Sequence, residues 1–314
     1  MDIAITGASG FIGSHMARYL LDKGHRVYAY GNNIPTDPFR REVWDSCHRT
    51  RTMTLTHTDP PFGDVDRVYH FAADMGGVGY FTANDYQPYV NNSRITFRVL
   101  HTIGFFKVPR AFVASSACIY PTRFQMVPGT ATKLNESMIE QGEPDQMYGR
   151  EKLMMLRLAE RHPQDVRVGI LHTIYGEGQD YEGKRTKFPM AAARKALEAR
   201  DTGTVDMWGS GIQMRSYLHV HDAVRMIEAV TEGEYHGPVN IGYEGAATCN
   251  EIQQLCLDAA GVPNAWIKHD HNQPSGVFGR DCDSTKFRNL HGDMQTVNYA
   301  EGFRRLVNWL DGRL

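Results

Sequence analysis

Short apolar runs alternate with longer amphipathic stretches through the first half of the chain. Asp2–Thr6, Arg26–Tyr30, Arg67–Phe71, Ala111–Ala114 and Val166–Leu171 each read as a buried strand. Between and after them, apolar positions recur at helical spacing over Gly10–Lys23, Pro88–Ile103, Tyr148–Arg161, Lys187–Arg200 and His221–Glu232. Strands alternating with helices predict βαβ units and an α/β fold with a doubly wound parallel sheet. Beyond Gly176 the pattern becomes irregular, although Pro238-Val239-Asn240-Ile241-Gly242 reads as a late strand. Asn250 is the expected cap of the helix that follows. The expected division is a first domain over residues 1–175, completed by about 212–243, with 176–211 and 244–314 forming a smaller C-terminal domain.

Composition narrows the class. The 314 residues are 41% hydrophobic and 22% charged, as in an ordinary soluble globular protein. A formal net charge of -2 gives no electrostatic case for a nucleic-acid partner. No apolar stretch nears the ~20 residues that span a bilayer, and with the first strand beginning at Asp2 no signal peptide is expected. Five cysteines without CxxC spacing argue against a disulfide framework and a zinc site. No HExxH-like spacing occurs among the 14 histidines, so no metal is expected, and the cytoplasm is the expected location.

Thr6-Gly7-Ala8-Ser9-Gly10-Phe11-Ile12-Gly13 ends a strand and opens a helix, the context that a dinucleotide fingerprint requires. Gly7 permits a tight turn, Gly10 lets the Phe11 and Ile12 backbone approach a pyrophosphate, and Gly13 allows close helix–sheet packing. The GxxGxxG spacing resembles the short-chain dehydrogenase/reductase superfamily, which implies a Rossmann-type domain. The second strand ends in Tyr30-Gly31-Asn32-Asn33, where NAD-binding members usually carry an acid for the ribose 2′-hydroxyl. Asn32 can hydrogen-bond a ribose but does not repel a 2′-phosphate. Asp59 is either an acceptor for the adenine amino group or a loop-capping residue.

The candidate chemistry lies in Ser115-Ser116-Ala117-Cys118-Ile119-Tyr120 and in Tyr148-Gly149-Arg150-Glu151-Lys152. Tyr148 and Lys152, four residues apart on a helix, point the same way. A free tyrosine titrates near ~10, and an adjacent ammonium is expected to move it towards working pH as a general base. Ser116 would hydrogen-bond the hydroxyl being oxidised. Cys118 alone is evenly balanced between a small core residue and a catalyst.

The wider constellation resembles the GDP-mannose 3,5-epimerases. The matching stretches are Ala72-Ala73-Asp74-Met75-Gly76-Gly77, Ser115 through Pro121, and Arg185-x-Lys187-x-Pro189 within the basic cluster Lys184–Pro189. Met207-Trp208-Gly209-x-Gly211-x-Gln213-x-Arg215-Ser216 and Gly276-Val277-x-Gly279-Arg280 match as well, so the resemblance covers nearly the whole chain. It implies NAD as a bound and recycled cofactor, with NADP left open by Asn32, and Ala73 and Thr173 beside it. It also implies a cycle in which Tyr148 takes the C4 hydroxyl proton as hydride leaves C4, so that C3 and C5 become acidic. Cys118 and Lys187 match the family's acid/base pair, acting from opposite faces of the sugar before C4 is reduced again. Gly76, Gly77, Ala117 and Thr173 match positions close to the sugar, and Lys195, Gln213, Arg215 and Arg280 match positions that hold the nucleotide diphosphate.

The chain departs from the family at Thr173, where an Asn is usual, at Phe278 in place of an Arg, and at Met214 in place of a Thr. These departures leave open the identity of the sugar, including a GDP-heptose, and whether one carbon or two is inverted. A GDP-fucose-synthase-like epimerase/reductase and a redox-only 4-epimerase are the neighbouring readings; a non-catalytic NAD(P)-binding regulator is the distant one. The partner expected is a nucleotide-diphosphate sugar, with a homodimer formed through the helices Pro88–Ile103 and Tyr148–Arg161.

Overall fold

The computed structural model describes residues 1–183, 185–273 and 276–314, so Lys184 of the basic cluster lies outside the described residues. Seven parallel strands form the central sheet. They are β1 (Asp2–Thr6), β2 (Arg26–Gly31), β3 (Arg49–Thr52), β4 (Arg67–His70), β5 (Arg110–Ser116), Asp165–Leu171 and Val239–Ile241. Across the sheet the order is Val239–Ile241, Asp165–Leu171, β5, β4, β1, β2, β3. From β1 the chain first builds outward through β2 and β3, then returns to β4 on the other side. The strand order therefore reverses between β1 and β4, where a crevice opens at the strand ends of such sheets.

The central strands read as continuous apolar runs because helices cover both faces. In chain order the first helices are α1 (Phe11–Asp22), α2 (Pro38–Ser46), α3 (Val78–Ala83), α4 (Tyr86–Phe105) and α5 (Gln146–Glu160). Val113 packs with Val99 and Ile103 of α4 and Leu156 of α5. Phe112, pointing the opposite way, packs with Met16 and Leu20 of α1 (Phe11–Asp22) and Ile227 of the helix Val220–Glu232. A third core joins the helices Phe188–Thr202, Cys249–Ala260 and Tyr299–Asp311 around Tyr175 and Tyr217, through Met190, Ile252, Phe303 and Leu306.

Two local features differ from the sequence-based expectation. The strand β3, Arg-Thr-Arg-Thr, has no apolar face to reveal it; all four residues are exposed on the sheet edge, where its arginines discourage further pairing. The helix Cys249–Ala260 is capped by Thr248, not Asn250. Thr248 Oγ1 accepts from the Glu251 amide at 3.0 Å while the Glu251 carboxylate accepts from the Thr248 amide at 2.7 Å. This reciprocal box satisfies two amides at once and leaves Asn250 inside the first turn, donating to the Ser210 carbonyl at 3.3 Å.

Candidate active site

The β1–α1 loop is shaped by close backbone approach. Gly7 adopts φ 76°, and a Cβ there would stand 2.7 Å from the Ala72 amide nitrogen. A Cβ on Gly13 would stand 2.1 Å from the Gly7 carbonyl oxygen. Gly10 caps α1 with no side chain, so the first-turn amides, Phe11 and Ile12 among them, face the crevice with the positive end of the helix dipole behind them. Residues present thus fit a dinucleotide pyrophosphate. Ala72 and Ala73 follow β4 on the other side of the crevice, and Asn32 lies exposed just past β2. Asp59 is largely exposed and paired with Arg98 of α4 at 2.7 Å.

Ser116 ends β5, and its Oγ accepts from the Cys118 amide at 3.3 Å, capping the short 3-10 turn Ala117–Ile119. The start of α5 docks directly on that turn. The Asp145 amide donates to the Cys118 carbonyl at 2.9 Å, and a Cβ on Gly149 would lie 2.2 Å from the same oxygen. Glycine is therefore required for Tyr148 to reach Ser116 and Cys118. Burial pushes the Tyr148 phenol well above its ordinary value, the nearby Cys118 and Glu151 charges push further, and a Ser116 hydrogen bond opposes them.

That direction is opposite to the one expected from Lys152. The Lys152 ammonium sits 5.7 Å from the Tyr148 ring centroid and only 3.2 Å from the Glu151 carboxylate. Glu151 is fully buried and also accepts from the Thr96 hydroxyl at 2.7 Å. The Lys152 ammonium is thus nearer to a carboxylate than to the Tyr148 ring.

Cys118 is contacted from its other side by Arg280. Arg280 Nη1 donates to Sγ at 3.2 Å, Nη2 to Asp145 Oδ2 at 2.8 Å and Nε to Gln125 Oε1 at 2.6 Å. Burial works against this guanidinium, yet Cys118 and Asp145 together hold it above its ordinary value. Lys187 is the N-cap residue of the helix Phe188–Thr202, where the helix dipole disfavours a cation. Burial pulls its ammonium down and the Cys118 charge opposes. A Cβ on Gly77 would lie 2.9 Å from the Thr186 carbonyl oxygen, so the Met75-Gly76-Gly77 loop touches the segment that carries Lys187.

Arg215 and Arg280 are register neighbours on two parallel strands, which sets two guanidiniums side by side. Burial and then the charge of Arg280 lower Arg215, which donates Nη2 to the Val277 carbonyl at 2.7 Å. Such a pair is suited to a diphosphate. Gln213 is buried beside them, Thr173 is half-buried opposite Tyr217, and Lys195 donates to the Asp206 carbonyl at 2.5 Å. The structure thus gathers Ser116, Cys118, Tyr148, Lys152, Lys187 and Arg280, and leaves Asp59 in its own ion pair. Gln125, Asp145 and Glu151 were not foreseen; Glu151 alone had a signal, its place beside Lys152.

These features define an enzyme of the NAD dependent epimerase/dehydratase family, to which the chain belongs: the family model matches residues 3–242. It is an NAD-dependent enzyme. Among its relatives, the GDP-mannose 3,5-epimerase 1 of Oryza sativa subsp. indica is 35% identical over 98% of this chain and 81% of that protein. The GDP-mannose 3,5-epimerase of Arabidopsis thaliana is 33% identical over 99% of this chain and 82% of its own length. In structure, the chain resembles the Bacillus cereus UDP-glucuronic acid 4-epimerase solved with UDP-glucuronic acid and NAD. That likeness has a TM-score of 0.84 at 22% identity over the full length of both chains, and carries the fold alone.

Proposed function

We propose that the protein is a GDP-sugar epimerase of the GDP-mannose 3,5-epimerase type. The observation that carries this reading is the position of Cys118, half-buried, bonded to Arg280 and close enough to Tyr148 and Lys187 for its charge to act on both. The first turn of α1, Asn32, Ala73, Lys152 and Thr173 would hold NAD, which would supply a reversible hydride acceptor for C4 of the sugar. Tyr148 takes the C4 hydroxyl proton and Ser116 hydrogen-bonds that oxygen. With C4 at the carbonyl level, protons on C3 and C5 become acidic enough for a side chain to remove. Cys118 and Lys187 take and return them from opposite faces; neither role is needed in a redox-only 4-epimerase. Arg215, Arg280, Gln213 and Lys195 are assigned to the diphosphate, and Gly76, Gly77 and Ala117 to close approach by the sugar. Thr173, shorter than the usual Asn, favours a second reading in which a related GDP-sugar is turned over by the same chemistry.

We further propose that it works as a cytoplasmic homodimer. No helix among the described residues is long and apolar enough to cross a membrane. Tyr86, Phe97 and Phe105 on α4 and Leu158 on α5 are exposed on the outer faces of these two helices, an apolar surface suited to a second copy.

Incubation of the NAD-loaded enzyme with GDP-mannose in D₂O should place deuterium at C3 or C5, read by NMR of the product. Cys118→Ala should remove that exchange; unchanged exchange in this variant would overturn the acid/base assignment.

A further inference from the structure

Lys187 has no hydrogen-bond partner for its ammonium among the described residues, so the place of its side chain depends on how its backbone is held. Arg185, two residues earlier, crosses to the loop after β4. Its Nη1 meets Asp74 Oδ1 at 2.7 Å and donates to the Met75 carbonyl at 3.0 Å, and its Nη2 donates to the Tyr80 hydroxyl oxygen at 2.9 Å. The guanidinium also stacks on the Tyr80 ring, 4.4 Å from its centroid.

Asp74 is itself fixed from the other side. Asn92 of α4, buried, accepts from the Asp74 amide at 2.6 Å and donates to its carbonyl at 3.0 Å. Asn91 donates to Oδ2 at 2.8 Å and Tyr80 donates to Oδ1 at 2.8 Å. Burial alone would raise this carboxyl, but the hydrogen bonds from Asn91 and Tyr80 and the charge of Arg185 hold it below the ordinary carboxylate range. It therefore stays charged to lower pH than an ordinary aspartate. The links run in series from α4 through Asn91 and Asn92 to Asp74, then through Arg185 to Lys187. The contact of Gly77 with the Thr186 carbonyl closes the same two segments against each other.

We infer that Asp74 and Arg185 are positioning residues that latch the Lys187 segment against the Met75-Gly76-Gly77 loop and so aim the lysine at the sugar. This rests on Lys187 being an acid/base group. Half of the Arg185 side chain is exposed, so the pair adds little to global stability; its loss acts locally. A displacement of about 1 Å in a reacting group can cost on the order of 10²-fold in rate.

The test uses the full-length NAD-loaded enzyme, with Arg185→Met, Asp74→Asn and Lys187→Ala measured side by side. Deuterium incorporation from D₂O into GDP-mannose reports the acid/base step, and the absorbance transient of the reduced cofactor after rapid mixing reports C4 oxidation. Arg185→Met and Asp74→Asn should each slow exchange by roughly 10- to 10²-fold and leave the oxidation transient close to that of the unaltered enzyme. Arg185→Lys should recover only part of the loss, since an ammonium cannot span Asp74, Met75 and Tyr80 together. The basic limb of the exchange profile should also move to higher pH, because a released Lys187 regains water. If Lys187→Ala abolishes exchange while both latch variants exchange at the normal rate, or if they lose oxidation and exchange equally, the latch is wrong. If Lys187→Ala exchanges normally, the acid/base reading falls and the latch falls with it.

Discussion

Ser116, Tyr148 and Lys152 stand on the end of β5 and the first turns of α5, whereas Lys187, Arg215 and Arg280 stand on a helix cap and on short strands outside the central sheet. The first set is placed by the sheet and by one helix docked on it, with backbone contacts at Cys118 and Gly149 doing the alignment. The second set is placed by side chains reaching far along the chain, such as Arg280 to Asp145 and Gln125. Cys118 belongs to both: its carbonyl receives α5 and its sulfur receives Arg280. On the proposed function, the difference teaches that the hydride chemistry stands on the central sheet and the helix docked on it, while the proton chemistry is completed by segments outside that sheet.

Tyr148→Phe gives the largest expected effect and treats the two regions as dependent in one direction. Removing the phenol should abolish C4 oxidation, and with it all exchange at C3 and C5, by at least the ~10²–10⁴-fold typical of a general base. Exchange that survives without oxidation would break the comparison, since the protons would then be removed without a C4 carbonyl. Gly149→Ala comes next and should damage both regions at once. Its Cβ would meet the Cys118 carbonyl at 2.2 Å, so α5 must back away from the turn. A loss of about 1–3 kcal/mol in urea unfolding is expected from such overpacking, together with slower oxidation and slower exchange. Arg280→Lys should be smaller and one-sided. It keeps the charge but loses the fork that joins Cys118, Asp145 and Gln125, so exchange should fall about tenfold while oxidation changes less, with the ratio of the two rates as the readout.

The same contrast explains what could be read from the chain. The glycine fingerprint, Ser116, Tyr148 and Lys152 were legible because each depends on local spacing at a strand end or within one helical turn. The strands of the first half were legible because burial on both faces makes them continuously apolar; the exposed edge strand Arg49–Thr52 has no such mark. Lys187 was reached through family resemblance and not through spacing. Asp145 and Gln125 lie 135 and 155 residues from Arg280, and Asp74 and Arg185 meet across a comparable gap. No local pattern encodes such pairings, because they arise only when the second region folds back on the first.

Glu151 offers the finest test, because it sits on the platform yet changes only its electrostatics. Its carboxylate raises the Tyr148 phenol, after the larger effects of burial and Cys118, and it offsets the Lys152 ammonium at 3.2 Å. In Glu151→Gln the amide oxygen can still accept from Thr96, while the amide NH₂ stands where the second carboxylate oxygen faced Lys152; the side-chain volume is kept, and a modest fall in thermal midpoint is expected. The charge, however, is gone. The phenolate is then opposed by one anion fewer and supported by a lysine without a counter-ion, so the Tyr148 pKa falls. Tyrosine must be deprotonated to accept the C4 hydroxyl proton, and the acid limb of the oxidation rate should therefore move to lower pH, by on the order of one unit. The exchange profile should follow only where oxidation limits it, since burial and the charge of Cys118, not Glu151, act on the Lys187 ammonium. A limb that stays in place would show that Glu151 does not oppose the phenolate, and that the phenol is governed by burial and Cys118 alone.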